Sequence, residues 1–142
     1  MNETSFKVEN LTVGQELPSY SVKVESKIYR RYNRLIREIN PIHLNKSYAQ
    51  KLGFENIVVA GNFLFTFIPK WILDWIPIPS ALKKATVYFE NPVYPDEEII
   101  HKGTIQEIEE LSGQIKVICE YHVEKGDGTP TSKGKIILNF KK

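Results

Sequence analysis

The chain has 142 residues, of which 42% are apolar and 25% charged, so its composition excludes a disordered or fibrous protein. Its 19 Lys/Arg and 17 Asp/Glu are scattered along the sequence and leave a net charge of +2, which argues against nucleic acid as a partner. The one cysteine, Cys119, allows no internal disulfide, and the N-terminus lacks an export signal, so we expect a single cytoplasmic domain over residues 1–142.

The first part of the chain predicts a strand followed by an amphipathic helix. Residues 1–18 indicate a short strand or an irregular lead-in, and residues 20–25 alternate as a strand. Ser26 is a plausible N-cap for a helix that ends near Ile39, because Pro41 disfavours helical backbone at the residue before it. The apolar face of this helix would comprise Ile28, Tyr32, Leu35, Ile36 and Ile39.

The middle of the chain predicts a buried helix. Residues 45–52 first indicate a short helix, with Asn45 or Ser47 as its cap. Residues 63–75 are then apolar on nearly every face, which is typical of a helix wrapped by other structure. Pro69 should kink this helix or split it in two. Polar residues interrupt the apolar stretch too often for a membrane span, so we expect no membrane association.

The last part of the chain predicts strands, because it is rich in β-branched and aromatic residues. The segments are residues 85–90, 98–108, 114–123 and 135–140. Glycine-containing turns near residues 111–113 and 126–128 join the last three segments into an antiparallel meander. We therefore predict an α+β fold in which an antiparallel sheet of about five strands curls around the long central helix.

Few side chains suit catalysis or metal binding. The histidines are His43, His101 and His122, and their spacing fits no metal site, so we predict neither a metal nor a cofactor. His101 and His122 alternate along strands and are interpreted as structural. Cys119 lies among apolar neighbours in a strand, which leaves no obvious nucleophile for covalent catalysis.

Glu38 and His43 are the best candidates for acid/base chemistry. Pro41 turns the chain between them, so a carboxylate and an imidazole can share one cleft. Such a pair suits the addition of water to a double bond conjugated with a carbonyl, and the amide of Gly61 at a helix start could stabilise the resulting oxyanion. Structural roles stay open for all three: a turn histidine, a solvated helix carboxylate and a helix-entry glycine.

The order and spacing of several motifs resemble a known family. Tyr32, Asn40-Pro41-Ile42-His43, Gly53-Phe54 and Gly61 are similar to the signature of the MaoC-like hydratases and dehydratases of the hot-dog fold, which include the R-specific enoyl-CoA hydratases. Further on, Asn91-Pro92-Val93-Tyr94-Pro95 resembles the aromatic-proline turn of the family. This chain departs from the family at three positions: Glu38 replaces an aspartate, Arg37 a small residue and Ala60 a histidine.

The resemblance implies a hot-dog fold and a lyase that interconverts 2-enoyl and (R)-3-hydroxyacyl thioesters of coenzyme A or acyl carrier protein. It also implies that His43 is the base, that Glu38 positions water and that the Gly61 amide stabilises the thioester oxygen. The acyl chain would lie beside the start of the central helix. The residues assigned to substrate binding are Tyr32, Asn40, Asn62, Phe63 and Phe65.

Partners and alternative functions follow from the same resemblance. The family implies a homodimer, or a heterodimer with a related subunit. The first alternative is therefore a noncatalytic subunit that binds the acyl chain or scaffolds an active partner within a heteromeric dehydratase. The second is a hot-dog thioesterase, which would need a carboxylate at the start of the central helix, where this chain has Asn62, while Asp74 lies near the far end.

Overall fold

A computed structural model describes residues 6–142, and its architecture is one antiparallel sheet curled around two consecutive helices. The strands follow the order β1-β4-β5-β6-β2, and β3 also pairs with β6. Their bounds are β1 Tyr20–Lys23, β2 Leu82–Ala85, β3 Tyr88–Phe89, β4 Glu98–Leu111, β5 Gln114–Lys125 and β6 Pro130–Lys141. The α+β prediction is confirmed. The predicted lead-in forms a short 3₁₀ turn, Val8–Asn10, and its first five residues lie outside the described part.

The meander β4-β5-β6 forms most of the sheet, and both predicted turns are present. The paired residues run from Ile99↔Lys125 to Leu111↔Gln114 between β4 and β5, and from Gln114↔Lys141 onward between β5 and β6. Strand β5 buries alternate side chains, Val117, Cys119, Tyr121 and Val123, as a sheet with one covered face requires. The strand predicted over residues 85–90 is instead two short strands, β2 and β3, on either side of Thr86 and Val87.

The predicted central helix is present as two helices, α3 Gly61–Phe65 and α4 Phe67–Trp75. The break falls at Thr66, and Pro69 explains its place: proline has no N–H to donate to the carbonyl of Phe65 four residues earlier. One side of the pair is buried, through Phe63, Ile68, Trp71 and Ile72, and the ring of Trp71 packs on His101 and Tyr121 of the sheet. The opposite side is an exposed polar stripe, Asn62, Thr66, Lys70 and Asp74.

Helix α1, Ser26–Leu35, buries a different face from the predicted one. Tyr29 and Asn33 are buried, whereas four of the five residues expected inside are exposed: Ile28, Leu35, Ile36 and Ile39, the last at 88%. The tyrosines decide the orientation, because the rings of Tyr29 and Tyr32 pack on Phe63 with centroids 5.0 and 4.9 Å away. Burying an aromatic ring removes more apolar surface from water than burying Ile28 would.

Both ends of α1 also differ from the prediction. Ser26 is the first helical residue rather than the N-cap, and the carboxylate of Asp96 accepts hydrogen bonds from its N–H at 3.0 Å and its hydroxyl at 2.5 Å. The helix ends one turn early because Arg37 adopts a left-handed backbone with φ of 55°, and the Glu38 N–H bonds back to Asn33 O at 2.9 Å. The second helix, α2 Lys46–Lys51, is capped by Asn45 as predicted.

Candidate active site

The segment from Glu38 to His43 is a tight loop whose polar groups hold its shape. A carboxylate oxygen of Glu38 accepts the Asn40 N–H at 3.0 Å, and the Asn40 side chain accepts the Ile42 N–H at 3.2 Å. Pro41–His43 form a single 3₁₀ turn after that cap. The side chain of Asn40, assigned to substrate binding from the sequence, is therefore used to shape the loop that presents His43.

The ring of His43 is half-buried and held in one tautomer. Its Nδ1 lies 2.6 Å from the carbonyl oxygen of Val58. Because a carbonyl oxygen can only accept, Nδ1 must carry the proton. In the neutral ring Nε2 is then left with a free lone pair, which is the state a general base needs.

Glu38 and His43 line the same cleft, which lies beside α1 and has a volume of about 1150 Å³. They are brought together but not paired, since no ion pair within 4.0 Å joins them. A water molecule or a substrate atom could therefore lie between the two side chains. Both side chains therefore line one cleft, as the sequence predicts, without a direct ion pair between them.

Gly61 and His43 together line a different cleft from the one that contains Glu38. A second cleft of about 280 Å³ is lined by His43, Gly61, Leu64 and Phe89, among others, so the imidazole borders both spaces. A Cβ at Gly61 would fall 2.6 Å from the Phe89 ring, so only glycine fits without moving that ring. The N–H groups of Gly61 and Asn62, in the first turn of α3, donate to no atom of the described residues and are available to an oxyanion.

Tyr29 supports this site and was not found from the sequence. Its hydroxyl donates to Val58 O at 3.3 Å and accepts the Ala60 N–H at 2.8 Å. It thereby ties α1 to the segment that holds His43 at one end and leads into α3 at the other. Burial raises the pKa of this phenol, which keeps it protonated as a donor. Its position among helix residues carries no sequence signal of that role.

Asn33 is the second supporting residue of α1. Its side-chain N–H group points to the backbone oxygen of His43 at 3.5 Å, a long contact. The side chain is buried, and its Oδ1 has no hydrogen-bond partner among the described residues. An asparagine in the middle of a helix is usually solvated, so its burial next to the His43 loop marks this as a polar site rather than core.

Of the remaining predicted substrate residues, Tyr32 lies on α1, and Asn62, Phe63 and Phe65 lie along α3. Phe63 is packed between the rings of Tyr29, Tyr32 and Phe67, and Asn62 is exposed. Phe65 lines a small internal cavity of about 10 Å³ under the helices, with room for about one water molecule. The space predicted for an acyl chain is therefore narrow in this structure, and it shares the lining residues Leu64 and Phe89 with the Gly61 cleft.

The other titratable candidates lie away from the cleft. His101 is 1% exposed, and its burial lowers the pKa of the ring to about 4. Burial raises the pKa of Cys119 to about 12, which keeps the thiol protonated and unreactive. Asp74 forms an exposed ion pair with Lys70 at 2.9 Å. Among residues 6–142 no group of three His, Cys, Asp or Glu side chains could hold a metal, and no helix is long and apolar enough to span a membrane.

Comparison with known proteins gives consistent matches. Residues 8–126 match the family model described as the MaoC like domain. A mitochondrial 3-hydroxyacyl-acyl-carrier-protein dehydratase of Arabidopsis thaliana is 29% identical over 111 residues, which cover 78% of this chain. The chain spans 64% of the length of that relative.

Solved structures share the fold at low identity. The (R)-hydratase of A. caviae involved in PHA biosynthesis superposes with a TM-score of 0.78 at 18% identity, covering 92% of this chain and 97% of that one. The C-terminally truncated HadBC complex of Mycobacterium tuberculosis, a 3R-hydroxyacyl-ACP dehydratase, gives a TM-score of 0.71 at 16% identity, covering 90% and 96%. These structures place helices and sheet as this chain does over nearly its whole length.

Proposed function

This chain belongs to the MaoC-like domain family, and we propose that it is a lyase that interconverts 2-enoyl and (R)-3-hydroxyacyl thioesters. The family and the hot-dog fold predicted from the sequence are confirmed. One observation carries the proposed activity: the Val58 carbonyl fixes the His43 ring with Nε2 free, between the cleft that contains Glu38 and the cleft that contains Gly61.

In the hydration direction, His43 Nε2 removes a proton from a water molecule that the Glu38 carboxylate orients. The water oxygen bonds to C3 of the enoyl group, and the electron pair of the double bond moves toward the thioester oxygen. The Gly61 N–H, which has no partner among residues 6–142, donates to that oxygen. The protonated His43 ring then gives its Nε2 proton to C2 of the enolate, which regenerates the neutral ring and completes the addition.

The acyl group would enter the space between Gly61 and the sheet. Leu64 and Phe89 line both the Gly61 cleft and the cavity behind it, so an acyl chain that reaches the cavity would pass between these two side chains. The narrow cavity favours short acyl chains unless Phe89, which is 45% exposed, moves aside. In the proposed complex the substrate also contacts the residues assigned to its binding from the sequence, Tyr32, Asn40, Asn62, Phe63 and Phe65.

A noncatalytic subunit of a heteromeric dehydratase is the second candidate, because one solved neighbour is the HadBC complex. Short edge strand β3 exposes Tyr88 and Phe89, which suits pairing with another copy or a related chain. We propose a homodimer or such a heterodimer, built from one domain per chain and located in the cytoplasm. The thioesterase alternative is disfavoured, because Asn62 stands where its carboxylate would be needed and Asp74 is paired with Lys70.

Hydration of crotonyl-coenzyme A by the purified chain tests the proposal, with loss of the absorbance of the conjugated thioester as the readout. We expect His43→Ala to lower kcat by roughly a thousandfold and Glu38→Gln by roughly a hundredfold, since each removes a group that acts in the transition state. Gly61→Ala should lose about tenfold, because its methyl group would displace the Phe89 ring that lines the cleft. His122→Ala, on an exposed strand position, is the matched control.

Circular dichroism of each variant separates lost chemistry from lost folding. Inactivity of the wild type toward crotonyl, hexenoyl and octenoyl thioesters would rule out the lyase acting alone. Activity that appears only after a related subunit is added would then identify the noncatalytic role.

A further inference from the structure

The cleft that contains Glu38 and His43 has a strongly one-sided charge, which the scattered sequence does not reveal. Its lining includes six cations and three carboxylates. The cations are Lys23, Lys27, Arg30, Arg34, Arg37 and Lys46, and the carboxylates are Glu25, Glu38 and Asp96. The part of the cleft that these six cations line is called the basic groove below. It surrounds one side of the candidate active site.

The cations of the basic groove form no ion pairs among residues 6–142. None of the six has a carboxylate within 4.0 Å among residues 6–142, although ion pairs of that length occur elsewhere on the surface. Two of the carboxylates in the cleft are already engaged by other groups, Asp96 by Ser26 and Glu38 by the Asn40 N–H. The cationic side chains of the groove are therefore available to bind an anionic ligand.

Helix geometry gathers these charges. Residues 27, 30 and 34 are three and four positions apart and so share one face of α1, and Arg37 continues the row just past the helix end. The neighbouring Arg31 is also exposed on α1 but does not line the cleft. The fold of the helix therefore places three arginines in the groove and leaves Arg31 outside it.

We propose that the basic groove binds the phosphate groups of the pantetheine carrier on which the acyl thioester arrives, a proposal that rests on the proposed lyase function. Arginine guanidinium groups match phosphate oxygens with paired N–H donors, and three of the six cations are arginines. His43 borders both this cleft and the one that contains Gly61. A carrier held by its phosphates in the groove can therefore extend its thioester past His43 to the Gly61 amide.

Both coenzyme A and the phosphopantetheine arm of acyl carrier protein carry this phosphate chemistry. The test compares three substrates with the same acyl group: crotonyl-coenzyme A, crotonyl-phosphopantetheine and crotonyl-pantetheine, which has no phosphate. In Arg30→Gln/Arg34→Gln we expect kcat/KM to fall about tenfold for crotonyl-coenzyme A, mainly through KM, and to stay unchanged for crotonyl-pantetheine. Arg31→Gln, the matched control, should change neither.

Crotonyl-phosphopantetheine and crotonyl-acyl carrier protein show which carrier supplies the phosphate groups that the groove binds. A loss on crotonyl-coenzyme A larger than on crotonyl-phosphopantetheine identifies the additional phosphates of coenzyme A as ligands, and equal losses identify the phosphate next to pantetheine. Both results support the groove. A loss confined to crotonyl-acyl carrier protein would overturn the proposal in favour of docking to the protein surface of that carrier.

Binding of free coenzyme A, measured by isothermal titration calorimetry at low salt, keeps this proposal separate from the proposed activity. We expect the double variant to bind coenzyme A about tenfold more weakly than the wild type or Arg31→Gln. If no substrate is hydrated but this difference in affinity is found, the groove stands and the lyase assignment fails. If hydration proceeds and the double variant matches the wild type in both affinity and kcat/KM, the groove is excluded and the lyase assignment stands.

Discussion

His43 and His101 differ in their exposure, although the Nδ1 of each ring forms a hydrogen bond with a backbone carbonyl oxygen. His43 lies on a loop, 2.6 Å from Val58 O, and borders two clefts. His101 lies in β4, 3.1 Å from Tyr20 O, and is enclosed by Tyr20, Phe67 and Trp71. The hydrogen bond fixes the tautomer in each case, and exposure alone decides which ring can exchange a proton with a substrate.

The largest expected difference between the two histidines is in stability. His101→Ala should lower the free energy of unfolding by about 3 to 5 kcal/mol, because it leaves a cavity among aromatic side chains. His43→Ala should cost about 1 kcal/mol or less, the value of one hydrogen bond at a half-buried site. Urea unfolding followed by circular dichroism measures both. Equal losses would show that the loop ring contributes as much to folding as the strand ring.

A second difference is expected in acid. The folded ring of His101 has its pKa lowered to about 4, whereas a free imidazole titrates near 6.5. Between these values the unfolded chain binds a proton that the folded chain does not, so stability falls as the pH is lowered from 6.5 toward 4. The loss reaches about 3 kcal/mol and is complete below the lower value.

Replacing this ring should remove that part of the pH dependence. His101→Leu is expected to give a flatter curve of unfolding free energy against pH over this range, whatever its stability at neutral pH. Ile105→Val, a buried change in the same strand, should lower the whole curve and keep its slope. A wild-type slope in His101→Leu would mean that other groups cause the acid sensitivity.

The smallest expected effect concerns the support of the loop histidine. Tyr29→Phe removes the hydroxyl that bridges Val58 and Ala60 and leaves the Ala60 N–H buried without a partner, at a cost of about 1 to 2 kcal/mol. Tyr32→Phe is the control, since its ring also packs on Phe63 and its hydroxyl makes no hydrogen bond within residues 6–142. Thermal unfolding should separate the two variants by several degrees. Identical melting temperatures would show that the hydroxyl of Tyr29 does not hold the loop.

Much of the fold could be predicted because it depends on local rules. The alternation in β5, the glycine turns of the meander and the Asn45 cap are set by residues close together in sequence. The orientation of α1 could not be predicted in this way, because Tyr29 and Ile28 are both apolar enough to face inward. Packing on Phe63, which is more than thirty residues away, decides between them.

The candidate site also has features that local sequence predicts and features that depend on distant residues. The motif from Asn40 to His43 marked the candidate catalytic loop, since proline and the Asn40 cap shape it locally. The sequence could not show that Val58 would fix the tautomer of His43 or that Asp96 would cap α1. Both partners lie far along the chain and become neighbours only in the folded protein.

The amino-acid sequence by itself determined the family, the α+β class and the loop that presents His43, because these follow from residue types at short, fixed spacings. Only the tertiary structure decided which face of α1 is buried and which cations meet at the cleft that contains Glu38 and His43. Charges that are evenly scattered along the chain become a basic groove because α1 packs by its tyrosines, which turns Arg30 and Arg34 toward the cleft and leaves Arg31 outside it.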